Sequence, residues 1–144
     1  MNLSGLLPLI ENLDAFKHLT ASLQSQDAVV ADVIESARAA TLVALSRTLN
    51  VPLVVLTPRA DRAKQLADEL MVWASQSNDS PLSTLHSPLF PEPDPLFYER
   101  MPWSAETSAA RLGALAALAQ GRGMRAQSPK PIIVTSIRAM MQRT

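Results

Sequence analysis

The chain has 144 residues, 13 Lys and Arg against 13 Asp and Glu, and no cysteine. That length fits one domain with a real core and excludes a multidomain enzyme within these residues. The missing cysteines exclude a disulfide framework, a thiolate metal site and a cysteine nucleophile. At 47% apolar and 18% charged the composition is globular, and zero net charge argues against a simple polycation for nucleic acid. The neutral total hides a polarity. Residues up to Glu99 carry 6 basic and 12 acidic side chains, a balance of −6; from Arg100 onward there are 7 basic residues and only Glu106 as an acid, a balance of +6. No basic leader opens the chain, and no apolar run approaches the ~20 residues a membrane span needs, so a cytoplasmic location is expected.

Leu6, Leu7, Ile10, Leu13, Phe16 and Leu19 recur in steps of three and four. They predict a helical hairpin or one long helix, a lead-in over 1–27 laid on the main fold. With only His18 and His86 in the chain, a multi-histidine metal site is excluded. Ala28-Val29-Val30-Ala31-Asp32-Val33 predicts a first short strand, and Ser36 opens a helix with Leu42, Leu45 and Leu49 as its buried stripe. The apolar run from Val51 to Thr57 predicts a strand buried on both faces. Pro58 and Asp61 suit the entry of a helix from about Ala60 to Ala74, with Ala63, Leu66, Ala67 and Leu70 facing inward.

Leu82 to Leu85 predicts a third strand. Pro88, Pro91, Pro93, Pro95 and Pro102 then exclude regular structure over a loop at about 87–103, which gathers Phe90, Phe97, Tyr98 and Trp103. Ser104 is placed as an N-cap with Glu106 in the first turn; Leu112, Leu115 and Leu118 form the expected buried face, and Gly121 and Gly123 the stop. Pro131-Ile132-Ile133-Val134-Thr135 is a buried-type strand, and Ser136 caps a last helix holding Arg138, Met140 and Met141. That helix has no stop signal, which suggests an incomplete domain. The alternation predicts an α/β fold: a small, mostly parallel sheet flanked by helices.

In open α/β sheets ligands bind beyond the carboxyl ends of strands, which directs attention to the turn after the first predicted strand. Asp32-Val33-Ile34-Glu35-Ser36-Ala37-Arg38-Ala39 has the spacing of the phosphate loop G-x-x-x-x-G-K-[ST] with nearly every functional residue replaced. Asp32 and Ala37 stand where glycines let N–H groups curl around a phosphate. Arg38 stands for the lysine, and Ala39 lacks the oxygen that would hold magnesium. Asp32 and Glu35 add negative charge where a polyphosphate would sit. By residue chemistry this turn should not bind ATP.

Ile34-Glu35-Ser36-Ala37-Arg38-Ala39 resembles the G-S-A-R-A segment of bacterial transcription-repair coupling factors (Mfd). Four further segments are similar in the same order. Val54-Val55-Leu56-Thr57-Pro58 with Ala63, Leu66 and Asp68-Glu69-Leu70 resembles that family's next strand and helix. Phe90-Pro91 with Leu96-Phe97-Tyr98-Glu99 resembles its "FP…E…PYE" loop, and Arg111-Leu112 with Leu115 and Leu118 its following helix. Ile133-Val134-Thr135-Ser136-Ile137-Arg138-Ala139-Met140-Met141-Gln142-Arg143 resembles its "IVVTPVRALMQR" strand and helix. The resemblance spans about Val29 to Arg143, and departs from the family's pattern at Asp32 and Glu35, where glycine is usual.

The resemblance implies a degenerate RecA-type, UvrB-like helicase subdomain over 28–144, truncated before an insertion that binds UvrA. It implies no catalysis and no cofactor in this chain. ATP and magnesium would belong to a downstream motor of the parent, with RNA polymerase and DNA contacted by downstream domains. Two alternatives stand beside this scaffold reading. One is an active helicase-type ATPase like UvrB, which would need a lysine and a hydroxyl at Arg38 and Ala39. The other is a DNA-binding module, in which Arg111, Arg122, Arg125, Lys130, Arg138 and Arg143 contact phosphates and Tyr98 or Trp103 stacks on a base. Against that stands the reading of the aromatic loop as packed on the core.

Overall fold

The computed structural model describes residues 5–26, 28–75, 89–94, 101–123 and 130–142. The lead-in is two helices, α1 (Leu6–Asn12) and α2 (Asp14–Ser25), separated at Leu13, whose ψ of 135° leaves the helical region. Leu7 and Phe16 are the positions of the predicted stripe that become fully buried. Residues 28–34 form no strand, contrary to expectation. Their β-branched composition keeps the chain out of a helix, but a strand also needs a ladder partner. Among the described residues the backbone of 28–33 bonds to no other backbone. A single 3-10 turn, Glu35–Ala37, then leads into α3 (Arg38–Leu49).

The buried stripe of α3 is made of small residues, Ala39, Ala40, Val43 and Ala44, while Leu42, Leu45 and Leu49 are half-buried. Helix α3 ends at Asn50, which takes the left-handed conformation (φ 51°) and returns its N–H to Ser46 O at 3.0 Å. Asparagine tolerates that conformation better than most residues.

Next come β1 (Leu53–Thr57) and α4 (Ala60–Ser75), the latter as predicted, with Ala63, Ala67 and Leu70 buried. A two-residue strand, β2 (Leu89–Phe90), lies inside the loop expected to be irregular. Among the described strands it lies at one side of the sheet, and at two residues it needs few N–H donors between Pro88 and Pro91. Helix α5 (Ala105–Gly123), β3 (Ile132–Ser136) and α6 (Ile137–Met141) complete the order. The strand predicted at Leu82–Leu85 lies outside the described residues.

The sheet is parallel throughout, in the order β1-β3-β2, with Leu53 opposite Ile132 and Leu89 opposite Val134. The fold is thus α/β, a small three-stranded parallel sheet flanked by helices. Central β3 is buried at all five positions, as its apolar run predicts. By contrast β1 is an edge strand and is not buried on both faces. Val54 and Leu56 remain 51% and 54% exposed on the side away from α3 and α4. Leu53, Val55, Ile132 and Val134 pack with Leu7, Phe16, Val43 and Leu70 on the other side. A smaller cluster of Phe90, Ala114, Ile133 and Ala139, joined by Leu118, lies under α5.

The inward face of α5 is Thr107, Arg111, Ala114 and Gly121, with Leu118 half-buried. Leu112 and Leu115 are exposed, so the leucine phase gives the wrong face. Gly121 is not a stop. It lies within the helix, where a Cβ would come 2.5 Å from Pro131 Cδ and 3.6 Å from Pro52 Cγ. The missing side chain lets α5 approach the proline that precedes β3. Both predicted serine caps are observed: Thr107 N–H donates to Ser104 Oγ and Ala139 N–H to Ser136 Oγ, each at 3.1 Å.

Candidate functional site

The turn singled out in the sequence lies beside a cavity of about 670 Å³ at the carboxyl end of β1. That volume lies within the range of ligand-sized sites, about 300–1,000 Å³. Its roof is the inner side of α3 and α4, with Leu42, Leu45 and Leu66. One wall is β1, with Val55 to Thr57; the other is the extended segment 28–34, which contributes Val29, Ala31 and Val33. The alternation along that segment is that of an extended chain, one residue in two facing the cavity. Val29 and Val33 are half-buried, while Val30, Ala31, Asp32 and Ile34 are exposed.

The mouth is polar and charge-compensated. Arg62, on α4, forms an ion pair with Glu35 of the 3-10 turn and donates to Gln65 Oε1 at 3.2 Å; Gln65 in turn donates to Glu69 Oε1 at 3.0 Å. Arg38 turns its Nε back to Val33 O at 3.4 Å. Asp32, Glu35, Ser36 and Arg38 are exposed, Ala37 is half-buried, and Ala39 is buried in the core. The Ala37 N–H donates to Ile34 O at 3.0 Å, so it is turned away from any phosphate. The arrangement offers an apolar slot behind a rim of both charge signs, with the Ala37 N–H already engaged. Arg62 and the half-buried leucines were missed as site residues. Only the fold brings them to one mouth, and no short motif signals them.

Among the described residues the basic and aromatic side chains do not assemble into one free cationic face. Tyr98, Arg125 and Arg143 lie outside them, as does the side chain of Arg122. Arg111 has no exposed surface. Its guanidinium is sandwiched between the rings of Phe90 (4.0 Å) and Trp103 (4.7 Å). It donates to Pro91 O at 2.8 Å and to Gln142 O at 3.1 Å. Burial lowers its pKa from the ordinary arginine value. It fastens the loop after β2 to the end of α6, which differs from the alternative in which it contacts a phosphate. Lys130 is also buried, and its ammonium donates to Gly121 O at 3.1 Å, in the last turn of α5. A cation there complements the helix dipole. Trp103 is half-buried against Arg111 rather than free to stack on a base. Arg138 is half-exposed and lies 3.6 Å from Glu92, whose other oxygen accepts from Ser136 Oγ at 2.6 Å.

Asp94 was also missed. Its carboxylate accepts the Ser104 N–H and the Thr107 hydroxyl, each at 2.9 Å, and these bonds, the Ser104 backbone first, hold its pKa below the usual aspartate range. The acidic residue ahead of the Ser104 cap is the signal that could have found it.

Among the described residues no group of three or more His, Asp or Glu is gathered to hold a metal ion, and no helix is long and apolar enough to cross a membrane. No protein-family model matches the chain, and no curated protein or solved structure matches it.

Proposed function

We propose that this chain is a non-catalytic scaffold module of the transcription-repair coupling factor type, a degenerate, UvrB-like relative of the RecA-type helicase subdomains. The observation that carries the absence of catalysis is the turn 32–39. Ala37 N–H is bonded to Ile34 O, Glu35 is paired with Arg62, and Ala39 is buried without an oxygen. A polyphosphate would meet the carboxylates of Asp32 and Glu35 and would find the Ala37 N–H already engaged. The five similar segments support the family reading, and the parallel sheet with its helices is compatible with it.

In that reading the chain supports other domains of a longer, cytoplasmic DNA-repair protein. UvrA would be recruited through an adjacent insertion, and RNA polymerase and DNA engaged by an ATP-driven motor elsewhere. Calorimetric titration of the chain with ATP and magnesium tests the non-catalytic part. No heat of binding is expected; saturable, magnesium-dependent binding would overturn it.

A further inference from the structure

Residues 28–34 run as an extended chain beside the open edge of β1, with the cavity between the two. The segment leads into Glu35, which Arg62 holds at the start of α4, beside the carboxyl end of β1. A closing movement therefore brings it in parallel to β1. The connection through α3 has the hand that such a pairing needs. Helix α3 shares a sheet face with α4, since Val43 and Ala44 pack with Ala63, Ala67, Ile132 and Val134. The step from 28–34 through α3 to β1 runs the same way across the sheet as the step from β1 through α4 to β2, with its helix on the same face. The two crossovers thus share one hand, and parallel crossovers are right-handed in nearly all cases.

Side-chain phase and edge chemistry agree with the topology. The Leu53 N–H donates to Pro131 O at 2.9 Å, which turns the backbone groups of Val54 and Leu56 to the open edge. Val29, Ala31 and Val33 already face the cavity under Leu42, Leu45 and Leu66, three leucines left half-buried above it. Val30 faces away and is fully exposed. Asp32, in the same phase as Val30, is the one acid in 28–34. A charge on an edge strand blocks further pairing, and β1 carries none between Leu53 and Thr57.

We infer that residues 28–33 are a strap that closes this slot: the sheet alternates between the open form described above and a closed form in which the segment lies on β1 as a fourth parallel strand. In the closed form the N–H groups of Val54 and Leu56 donate to Val29 O and Ala31 O, and those of Ala31 and Val33 donate to Val54 O and Leu56 O. Val30 then lies beside Val54, and Asp32 beside Leu56 on the new edge. Closure buries Val29 and Val33 under the leucines and removes the β1 edge from any other strand. The Glu35–Arg62 pair and the bond from Ala37 N–H to Ile34 O lie just beyond the moving residues and form the hinge. The inference rests on the sheet geometry and not on the scaffold reading above, so either can fail alone.

Paired cysteine substitutions read the closed register in a chain that has no cysteine of its own. Val30→Cys with Val54→Cys, and Asp32→Cys with Leu56→Cys, set two thiols side by side on one face of the closed sheet. Ala31→Cys with Val54→Cys sets them on opposite faces. With a short bifunctional thiol reagent the two in-phase pairs are expected to cross-link about tenfold faster than the out-of-phase pair. In the open form Ala31 lines the slot and Val30 turns away from it, so equal rates, or a faster out-of-phase pair, would overturn the inference. Amide exchange by NMR gives a second reading on the unmodified chain. Ala31, Val33, Val54 and Leu56 are expected to slow together by about threefold or more relative to Val30 and Asp32, whose amides stay outside the pairing. Ala31→Pro removes one donor from a segment whose backbone bonds to no other backbone in the open form among the described residues. It is expected to return Val54 and Leu56 to fast exchange with unchanged far-ultraviolet dichroism. Fast exchange of all six amides in the unmodified chain, or protection of Val54 and Leu56 that survives Ala31→Pro, would likewise overturn the inference. Because exchange is measured on the unmodified chain, the outcome does not rest on the variants folding.

Discussion

Arg111 shows how one side chain organises the region that one alternative reading made a nucleic-acid contact. A guanidinium with no exposed surface keeps its charge only where donors find acceptors and rings face the cation. Here the acceptors are the carbonyls of Pro91, Ala139 and Gln142, and the rings are those of Phe90 and Trp103. Arg111→Ala would leave those carbonyls buried and open a cavity between two rings. It is expected to destabilise the chain by about 3–5 kcal/mol in urea denaturation. Arg111→Lys keeps the charge and loses the planar fork; a smaller cost of about 1–2 kcal/mol is expected. A variant of unchanged stability would show that the stack contributes little.

At the same scale Asp94 sets a pH dependence. Its carboxylate is bonded by Ser104 and Thr107, which lowers its folded pKa below the unfolded value of about 3.9. The ionised form therefore favours folding. The contribution is complete above the unfolded pKa and is lost as the pH falls through the lower, folded one. Urea midpoints measured from pH 6 downward are expected to decline more steeply for the parent than for Asp94→Asn. Because the carboxylate is exposed, added salt is expected to shrink the difference. Parallel curves would show that these bonds do not favour the ionised form.

Helix α5 separates what pattern reading can and cannot do at the level of an element. Its start was legible, because Ser104 and Glu106 act through backbone groups next to them in sequence. The buried face was not. Alanine and leucine occupy so many phases of α5 that no single stripe stands out. The phase is set by Arg111 and Gly121, whose partners, Phe90 and Pro131, come from distant parts of the chain. Residues 28–34 failed for a related reason: local composition fixes an extended backbone but supplies no ladder partner. Strand β3 was legible because a central strand carries its burial in its own five residues, whereas the open face of edge strand β1 depends on which neighbours exist. In the candidate site, the residue types that distinguish the turn 32–39 from a phosphate loop are legible in the sequence. The cavity beside it was not, because its walls come from four separate elements.

The two glycines of α5 turn this into a paired measurement. A Cβ added at Gly113 would meet nothing within 4 Å, so Gly113→Ala is expected to stabilise by about 0.5–1 kcal/mol through helix propensity and reduced unfolded-state entropy. Gly121 would place its Cβ 2.5 Å from a rigid proline ring, so Gly121→Ala is expected to cost about 1–3 kcal/mol despite the same propensity gain. Thermal unfolding of the two variants against the parent reads the sign directly. Stabilisation by both would mean that α5 does not approach Pro131 closely.

For the molecule as a whole, the question is whether the turn 32–39 departs from a phosphate loop only in its residues or also in its setting. A phosphate loop works because a strand held in the sheet delivers it to the start of a helix, where free N–H groups converge. In this chain residues 28–34 are not held in the sheet, the N–H of Ala37 is engaged, and Glu35 is tied to α4 through Arg62. Position 39 faces the core with 1% exposure, so a hydroxyl there would be buried among apolar neighbours instead of reaching an ion. Installing the motif with Asp32→Gly, Ala37→Gly, Arg38→Lys and Ala39→Thr is therefore expected to confer no binding of ATP with magnesium in a calorimetric titration. It is also expected to lower stability by about 1–3 kcal/mol, mostly through overpacking at position 39. A variant that bound the nucleotide at unchanged stability would show the opposite: a setting fit for a phosphate loop, in which the residue types alone stand against binding.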